Sequence, residues 1–433
     1  MAMDGKELVE KLAKLSQVQS IKDIPHLTHA LFPGTHCPLM GAAMAVGGIK
    51  DSLIVVVGTD ECTYYTKSMT IHSEKFGGID GRCVSVVLDD HDVTFGSAEK
   101  VQEAFKEIIE EYRPQCVFLV TTCVIEIIGD DFDAISEGLS KLYGIPVLPV
   151  HTEHFKCEDH LPGLERTITV CAEMMKSCDC DNSVNLLGQR MGDFATTELY
   201  AMLQKAGVKI GLQLPCGCSV DDIKNAAAAK VNIVVNDIAL PLAQKMQEKF
   251  GIPYVYFNKF VIPEKIYEAY KNLFGYLELE LPEELEGLYQ NAREEIEKTK
   301  CELEGITYIY GNTPYAVFEM NCFLSSLGMV PQVIQTNRYT EADEPYAKEI
   351  LQYTDPYVCK AANIAPLQYV YDVLSPYLYL GHEFGNRLRQ KGIAIVHSDR
   401  ASGMLGFEVT GYLLQQLVKS VREAKEYRKE LCL

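Results

Sequence analysis

The chain has 433 residues, of which 47% are hydrophobic and 23% charged. That composition can bury a core in each of several domains, and it excludes a peptide-sized disulfide scaffold, a membrane-embedded chain and a disordered one. With 40 basic against 60 acidic residues the net charge is −20, so a grip on nucleic acid or anionic lipid would work against the protein's own field, and neither is expected as a partner.

Met1 to Leu15 reads as an amphipathic helix with acidic residues and no continuous apolar core. It resembles neither a signal nor a transit peptide, so a cytoplasmic setting is expected. β-Branched runs then predict strands at Leu53–Val57, Cys83–Leu88, Cys116–Val120 and Pro146–Val150, with helical periodicity over Ala98–Glu111 and Asp133–Tyr143 between them. The rhythm resumes with strands at Ser183–Leu187, Val208–Gln213, Val231–Val235 and Pro253–Phe257, separated by helices at Phe194–Ala206, Val220–Ala229 and Leu240–Phe250. A long acidic helix, Glu283–Lys300, leads into a third set of strands: Ile306–Tyr310, Gln332–Thr336, Pro356–Cys359, Tyr377–Leu380 and Ile393–His397. Helices Pro314–Leu327 and Glu383–Lys391 accompany them, and Tyr412–Lys429 closes the chain.

Alternating strands and helices predict an α/β protein of three parallel-sheet, Rossmann-like domains, and the family resemblance drawn below implies that they surround a central cleft. The expected division is residues 1–180 together with the C-terminal helix 408–433, then 181–300, then 301–407. Neither a GxxxxGK[S/T] loop nor a strand-borne GxGxxG is present, so the chain lacks both common nucleotide-binding signatures.

The chemistry rests on cysteine. Fifteen is an odd count, and in a reducing compartment thiols serve as metal ligands, nucleophiles or small buried hydrophobes rather than disulfides. Cys37 lies in HCPLMGA before the first strand, Cys62 in GTDECTYY after it, and Cys123 in TTCVIEIIGDD after the third. Strand ends of a parallel sheet face one crevice, where three thiolates without convergent histidines suit an iron–sulfur cluster. Three buried structural thiols are the plain alternative.

These three cysteines in their βα contexts, and above all the TTC-x-x-E-x-IGDD segment, resemble the nitrogenase component 1 superfamily. That superfamily comprises the molybdenum–iron protein subunits, their cofactor-scaffold relatives and the subunits of dark-operative protochlorophyllide reductase. The resemblance implies that Cys37, Cys62 and Cys123 hold a cluster at a subunit interface, either 4Fe-4S or a P-cluster-like 8Fe-7S group. It also implies a homologous component 1 subunit, or a second copy of this chain, that completes the ligand set, and a separate P-loop ATPase iron protein that donates electrons. A further metal cofactor in the central cleft is compatible with it.

Two departures bear on the reaction. Where the family's α subunit anchors the iron–molybdenum cofactor through a cysteine, AKVNIVVNDIAL places Asn236. Where a histidine provides the second anchor, the segment Ser402-Gly403-Met404-Leu405-Gly406-Phe407 places Leu405. Dinitrogen reduction on this chain is therefore not expected.

Further groups invite chemistry. Cys216 and Cys218, one residue apart after a strand, suit a soft metal or a redox pair, or are incidental; Cys178 and Cys180 read as surface thiols. His151, His154, Cys157 and His160 recur every three residues, a spacing unlike the usual zinc pattern, and read as a loop lining the cleft or interface. His154, His382, Cys216 and Cys218 are the cleft candidates for substrate-side chemistry, and His397 follows the same logic.

The resulting expectation is the iron–sulfur subunit of a nitrogenase-like, ATP-dependent reductase, passing electrons from the iron protein through an interface cluster to a reducible substrate. Two rivals stand beside it. One is a scaffold on which a nitrogenase-type metal cofactor is assembled; the other is a cluster-free metallophore- or solute-binding protein of similar form.

Overall fold

A computed structural model describes residues 4–27, 36–71, 81–157, 159–190, 192–311, 313, 315–360 and 364–432. Met1 to Met3 and Pro314, at the edges of two expected helices, and Leu433, at the end of the closing segment, lie outside the described residues. The strands in chain order are β1 (Ala13–Lys14), β2 (Ile49–Lys50), β3 (Ser52–Gly58), β4 (Cys83–Val87), β5 (Cys116–Thr121) and β6 (Val147–Val150). They continue as β7 (Val184–Gln189), β8 (Ile210–Pro215), β9 (Cys218–Ser219), β10 (Val231–Val234) and β11 (Tyr254–Tyr256). The last five are β12 (Thr307–Tyr310), β13 (Val330–Gln335), β14 (Tyr357–Cys359), β15 (Leu378–Leu380) and β16 (Ala394–Val396).

They form three main sheets, ordered β4-β3-β5-β6, β11-β10-β7-β8 and β1-β14-β13-β12-β15-β16. Every pairing in them is parallel except that of β1 with β14. The continuous apolar run Leu53–Val57 is explained by its place: β3 lies inside its sheet and every one of its residues is buried, as expected when helices cover both faces. The helix Ala98–Tyr112 turns Val101, Phe105 and Ile108 inward, one stripe of a 3.6-residue period.

The first two sheets are fused. β2 pairs with β9, Ile49 opposite Cys218. One hydrophobic cluster runs from Leu39, Ile54 and Phe118 through Leu164 and Ile168 to Leu214, Val234 and Met246. At its centre the helices Pro38–Gly47 and Leu161–Val170 touch backbone to backbone. A Cβ on Gly41 would stand 1.9 Å from the His160 carbonyl oxygen, and one on Gly163 would stand 1.8 Å from that of Pro38. Only glycine fits at either position.

Both chain ends depart from the expected division. The N-terminal helix is shorter than Met1–Leu15: it spans Gly5–Glu10, capped by the Asp4 carboxylate on the Lys6 N–H. The chain then adds β1 antiparallel to β14, with the Lys14 ammonium on the Asp355 carbonyl and over the Tyr357 ring. The closing helix, Glu408–Glu430, was assigned with the first domain but packs on the third sheet. Its stripe of Val409, Leu413, Leu417, Val421 and Ala424 shares a core with Leu303, Ile306, Leu378 and Val396. Arg428 ties it to the carbonyls of Ser375 and Pro376. In both cases the apolar face finds its complement in the third sheet, a pairing that local periodicity does not encode.

The glycine contact yields a test. Gly163→Ala forces the two helices apart and is expected to cost about 1–3 kcal/mol of unfolding free energy, read by urea denaturation. Gly138→Ala, on an exposed helix where a new Cβ meets nothing within 4 Å, is expected to be neutral or to stabilise by up to about 1 kcal/mol.

Candidate functional site

Each of the three sequence-flagged cysteines sits at the start of a helix. Cys37 is the extended residue that precedes Pro38–Gly47, Cys62 lies in the first turn of Asp60–Ile71, and Cys123 opens Cys123–Ile128 directly after β5. All three are half-buried free thiols. Glycine again sets the approach: a Cβ on Gly58, the last residue of β3, would fall 2.2 Å from Thr122 Oγ1. The Thr122 hydroxyl donates to the Val57 carbonyl at 2.9 Å, and the Thr59 hydroxyl reaches Cys62 Sγ at 3.5 Å.

The thiols sense one another. Burial pushes the Cys123 pKa up, the negative charge of Cys62 and then Cys37 pushes it further, and the N–H of Val124 at the helix start works the other way. A polycation within this triad would reverse the balance, since positive charge and helix N-termini favour thiolate. Among the described residues no three His, Cys, Asp or Glu side chains close around a single ion. Three thiols spread over three helix ends fit a polynuclear iron–sulfur group, whose irons and sulfides stand between its ligands.

The other residues of the TTCVIEIIGDD segment brace this arrangement. The Glu126 carboxylate accepts from the hydroxyls of Thr121 and Thr152 and from the Glu153 N–H, tying the end of β5 to the loop after β6. Asp130 accepts from the Ser97 N–H and hydroxyl. Asp131 caps the helix Phe132–Tyr143, and Gly129 takes the left-handed turn, φ 83°. Around the triad Tyr64, Tyr65, Ile127 and Phe155 are exposed, at 65–71%.

The four-residue His/Cys series does not converge. His151 faces Asp133 at 3.3 Å, His154 is exposed beside Phe155, and the Cys157 thiol lies against the Thr152 carbonyl and Arg166. Only His160 turns inward. Burial and the charges of Arg190, His36 and Arg338 hold its pKa at about 4, with Asp159 opposing.

Cys216 and Cys218 point apart. Cys216 donates to the Arg190 carbonyl at 3.1 Å. Cys218 is 1% exposed in the core shared with Cys116 and Cys171, its pKa pushed to about 12 by burial. The β2–β9 pairing turns it inward, so it does not face the cleft as expected. His382 pairs with Asp399 at 3.2 Å where both are exposed. His397 is exposed, and its carbonyl accepts from the Tyr412 hydroxyl. Cys178 and Cys180 are exposed, as expected.

Past the strand ends of the second and third sheets, within electrostatic range of the Leu161–Val170 helix, stand groups that sequence reasoning missed. Arg190 follows β7, Asp237 follows β10, Lys259 follows β11 and Arg338 follows β13. Arg190 lies within range of Lys259, Arg338 and Cys216. Asp237 accepts from Tyr256 and Asn258, and Glu319, 7% exposed, reaches Lys265 at 3.4 Å. Burial raises the Glu319 carboxyl. A signal was present: Gln189-Arg190, Asn258-Lys259 and Asn337-Arg338 repeat an amide and then a cation just past a strand.

Asn236 and Leu405 have other work. The Asn236 side chain caps the 3-10 turn Asp237–Ala239 through the Ile238 N–H. Leu405 is fully buried in an apolar core with Phe407, Tyr270 and Leu199.

Three parallel α/β sheets meeting at a cleft, with a thiol triad on the first, define a component 1-type architecture. The family model for nitrogenase component 1 type oxidoreductases matches residues 37–422, and the chain belongs to that family. Among its relatives is the nitrogenase iron-molybdenum cofactor biosynthesis protein NifE of Clostridium pasteurianum, 31% identical over 224 residues. That match covers 51% of this chain and 49% of the relative, so it spans about half of that protein's length. NifE of Rippkaea orientalis is 25% identical over 330 residues, covering 73% and 69%. The nitrogenase molybdenum-iron protein alpha chain of Methanosarcina barkeri is 25% identical over 309 residues, covering 68% and 58%. The solved structure of nitrogenase Cp1 at pH 6.5 has the same fold, with a TM-score of 0.77 at 15% identity over 92% of this chain and 94% of that one. No helix among the described residues is long and apolar enough to cross a membrane.

The buried imidazole makes a pH prediction. Because the folded-state pKa of His160, about 4, lies below the ordinary value near 6.5, the stability it contributes is complete above pH ~6.5 and is lost as pH falls toward 4. The difference in unfolding free energy between wild type and His160→Gln should therefore shrink on acidification from pH 7 to 5, by at most about 1.4 kcal/mol per pH unit. Denaturant titrations at both pH values read it.

Proposed function

We propose that this chain is a component 1-type subunit that assembles or modifies a metal cofactor and hands it on, rather than one that reduces dinitrogen. The observation that carries the reading is the pair Asn236 and Leu405. One is a turn cap and the other a core residue, so neither supplies a thiolate or imidazole that would tether a cofactor permanently. A group held in the cleft by charge and shape alone can leave. The relatives named as cofactor biosynthesis proteins support the same reading.

Cys37, Cys62 and Cys123 are the residues we assign to an iron–sulfur cluster, which supplies single-electron transfer when bound. The chain's own contribution is placement: Gly58 and Thr122 set the distance between two of the helix starts, and Gly41 and Gly163 seat the third. Three ligands leave the set incomplete, and the exposed Tyr64, Tyr65, Ile127 and Phe155 beside them suit burial by a homologous subunit or a second copy. A P-loop iron protein would donate the electrons.

One observation favours the second reading, a nitrogenase-like reductase. Burial pushes the Glu319 carboxyl and the half-buried Tyr256 phenol toward their protonated forms, a direction that suits proton-coupled reduction of a bound substrate.

Iron, acid-labile sulfide and EPR on anaerobically purified wild type and Cys62→Ala test the cluster: about four irons per chain are expected, lost in the variant. Incubation of the iron-labelled protein with an apo acceptor and the iron protein then separates the readings. Label passing to the acceptor supports the scaffold, whereas label retained during catalytic consumption of a reducible substrate overturns it. An iron-free wild type after reconstitution overturns both.

A further inference from the structure

The closing helix, Glu408–Glu430, draws on two cores. Its apolar stripe from Val409 onward packs on the third sheet, whereas Leu405 and Phe407, just before it, are buried in the core of the second with Leu199, Tyr270 and Phe274. The Phe407 ring stacks on Tyr270 with centroids 6.1 Å apart, and the Thr410 hydroxyl donates to the Val261 carbonyl at 2.8 Å. The loop after β7 comes so close that a Cβ on Gly192 would stand 2.6 Å from the Gly403 Cα.

Where the two cores meet, two helix N-termini cap each other. Glu198 opens the helix Glu198–Lys205, and Glu408 opens the closing helix. The Glu198 carboxylate accepts from the N–H groups of Phe407, at 3.1 Å, and Glu408, at 3.2 Å, and from the Tyr270 hydroxyl at 2.9 Å. In return the Glu408 carboxylate accepts from the N–H groups of Leu405, at 2.9 Å, and Glu198, at 3.2 Å. The Leu199 N–H donates to the Leu405 carbonyl at 3.3 Å and completes the set. Gly406 makes room for it, since its φ is 115° and a Cβ there would fall 2.3 Å from Glu198 Oε1.

Carboxylates at helix N-termini gain from the dipole and from charge-assisted bonds. The cost is two like charges in one place: burial pushes the Glu198 pKa up and the Glu408 charge adds to it, against the bonds from Phe407, Tyr270 and Glu408. Because the caps are reciprocal, losing either carboxylate strands N–H groups on the other's helix.

We propose that the Glu198–Glu408 clasp makes the closing helix a strut that locks the second and third sheets into one body, with the two glutamates as its positioning residues. The helix has 23 residues and, at ~1.5 Å per residue, is about 34 Å of stiff rod. Pinned at its base in one core and along its length in the other, it fixes the loop after β7 against the loop after β16, with or without a ligand. The lock goes beyond the function proposed above and holds for scaffold and reductase alike.

Hydrogen–deuterium exchange of the full chain across a urea series tests it. In wild type, peptides from β7 and β10 of the second sheet and from β12 and β15 of the third should lose protection at one urea concentration. Glu198→Ala and Glu408→Ala should each speed exchange of residues 403–410 about tenfold or more and split the loss of protection into two steps, one per sheet. The double variant should do no more than either single change, because each removes the same clasp. Glu198→Gln, which keeps one acceptor oxygen, should fall between wild type and Glu198→Ala. Asp131→Ala removes a helix cap beside the first sheet and should lower the urea midpoint while the second and third sheets still lose protection together, which is also how a purely local cap at Glu198 would behave.

Separate steps in wild type, a single step kept in both glutamate variants, or additive effects in the double variant overturns the proposal. Should either alanine variant fail to fold, Glu198→Gln and Glu408→Gln carry the same comparison.

Discussion

The contact on which the rest of the structure depends is the helix crossing at which Gly41 meets the His160 carbonyl and Gly163 meets that of Pro38. Where the helices Pro38–Gly47 and Leu161–Val170 meet, there is room for backbone and nothing more. Close approach at this point merges the cores beneath the first and second sheets into one. It also sets the position of Cys37 at one helix start and of His160 just before the other, so the thiol triad and the cleft are fixed relative to each other by a single packing interface. Gly58 against Thr122 repeats the device one layer away, drawing the Cys62 and Cys123 helices toward each other. Side-chain absence is what makes both approaches possible.

From that frame the molecule separates two chemistries. On the first sheet the candidate groups are soft, half-buried thiols at helix starts, edged by exposed aromatic and aliphatic side chains. Past the strand ends of the second and third sheets they are hard: Arg190, Lys259 and Arg338, with the Glu319 carboxyl and the Tyr256 phenol pushed by burial toward their protonated forms. Soft donors suit iron and sulfide, the chemistry proposed for the triad.

Much of the fold was legible. Leu53–Val57 reads as a strand because a β-branched run covered on both faces has no other stable place, and Leu240–Phe250 reads as a helix because its apolar spacing and bounding glycine agree. The expected helix Val220–Ala229 breaks into Val220–Lys224 and a 3-10 turn at Ala226–Ala228, a run of alanines whose propensity yields to the turn. The cysteine triad was visible through motif and context. The amide–cation pairs Gln189-Arg190, Asn258-Lys259 and Asn337-Arg338 were equally present but unmarked, since a charged residue after a strand ordinarily faces solvent.

Local sequence by itself therefore determined the elements, their parallel pairing and the three thiols proposed as soft-metal donors, because periodicity, β-branching and thiol chemistry act over a few residues. Only the tertiary structure decided that both chain ends belong to the third sheet, that Cys216 lies against the Arg190 carbonyl while Cys218 is sealed in the core, and that Arg190 comes within range of Lys259 and Arg338 from distant strand exits. Those outcomes depend on which apolar faces complement one another and on where charge is left after burial. Both are properties of packed surfaces, and neither exists until the sheets are brought together.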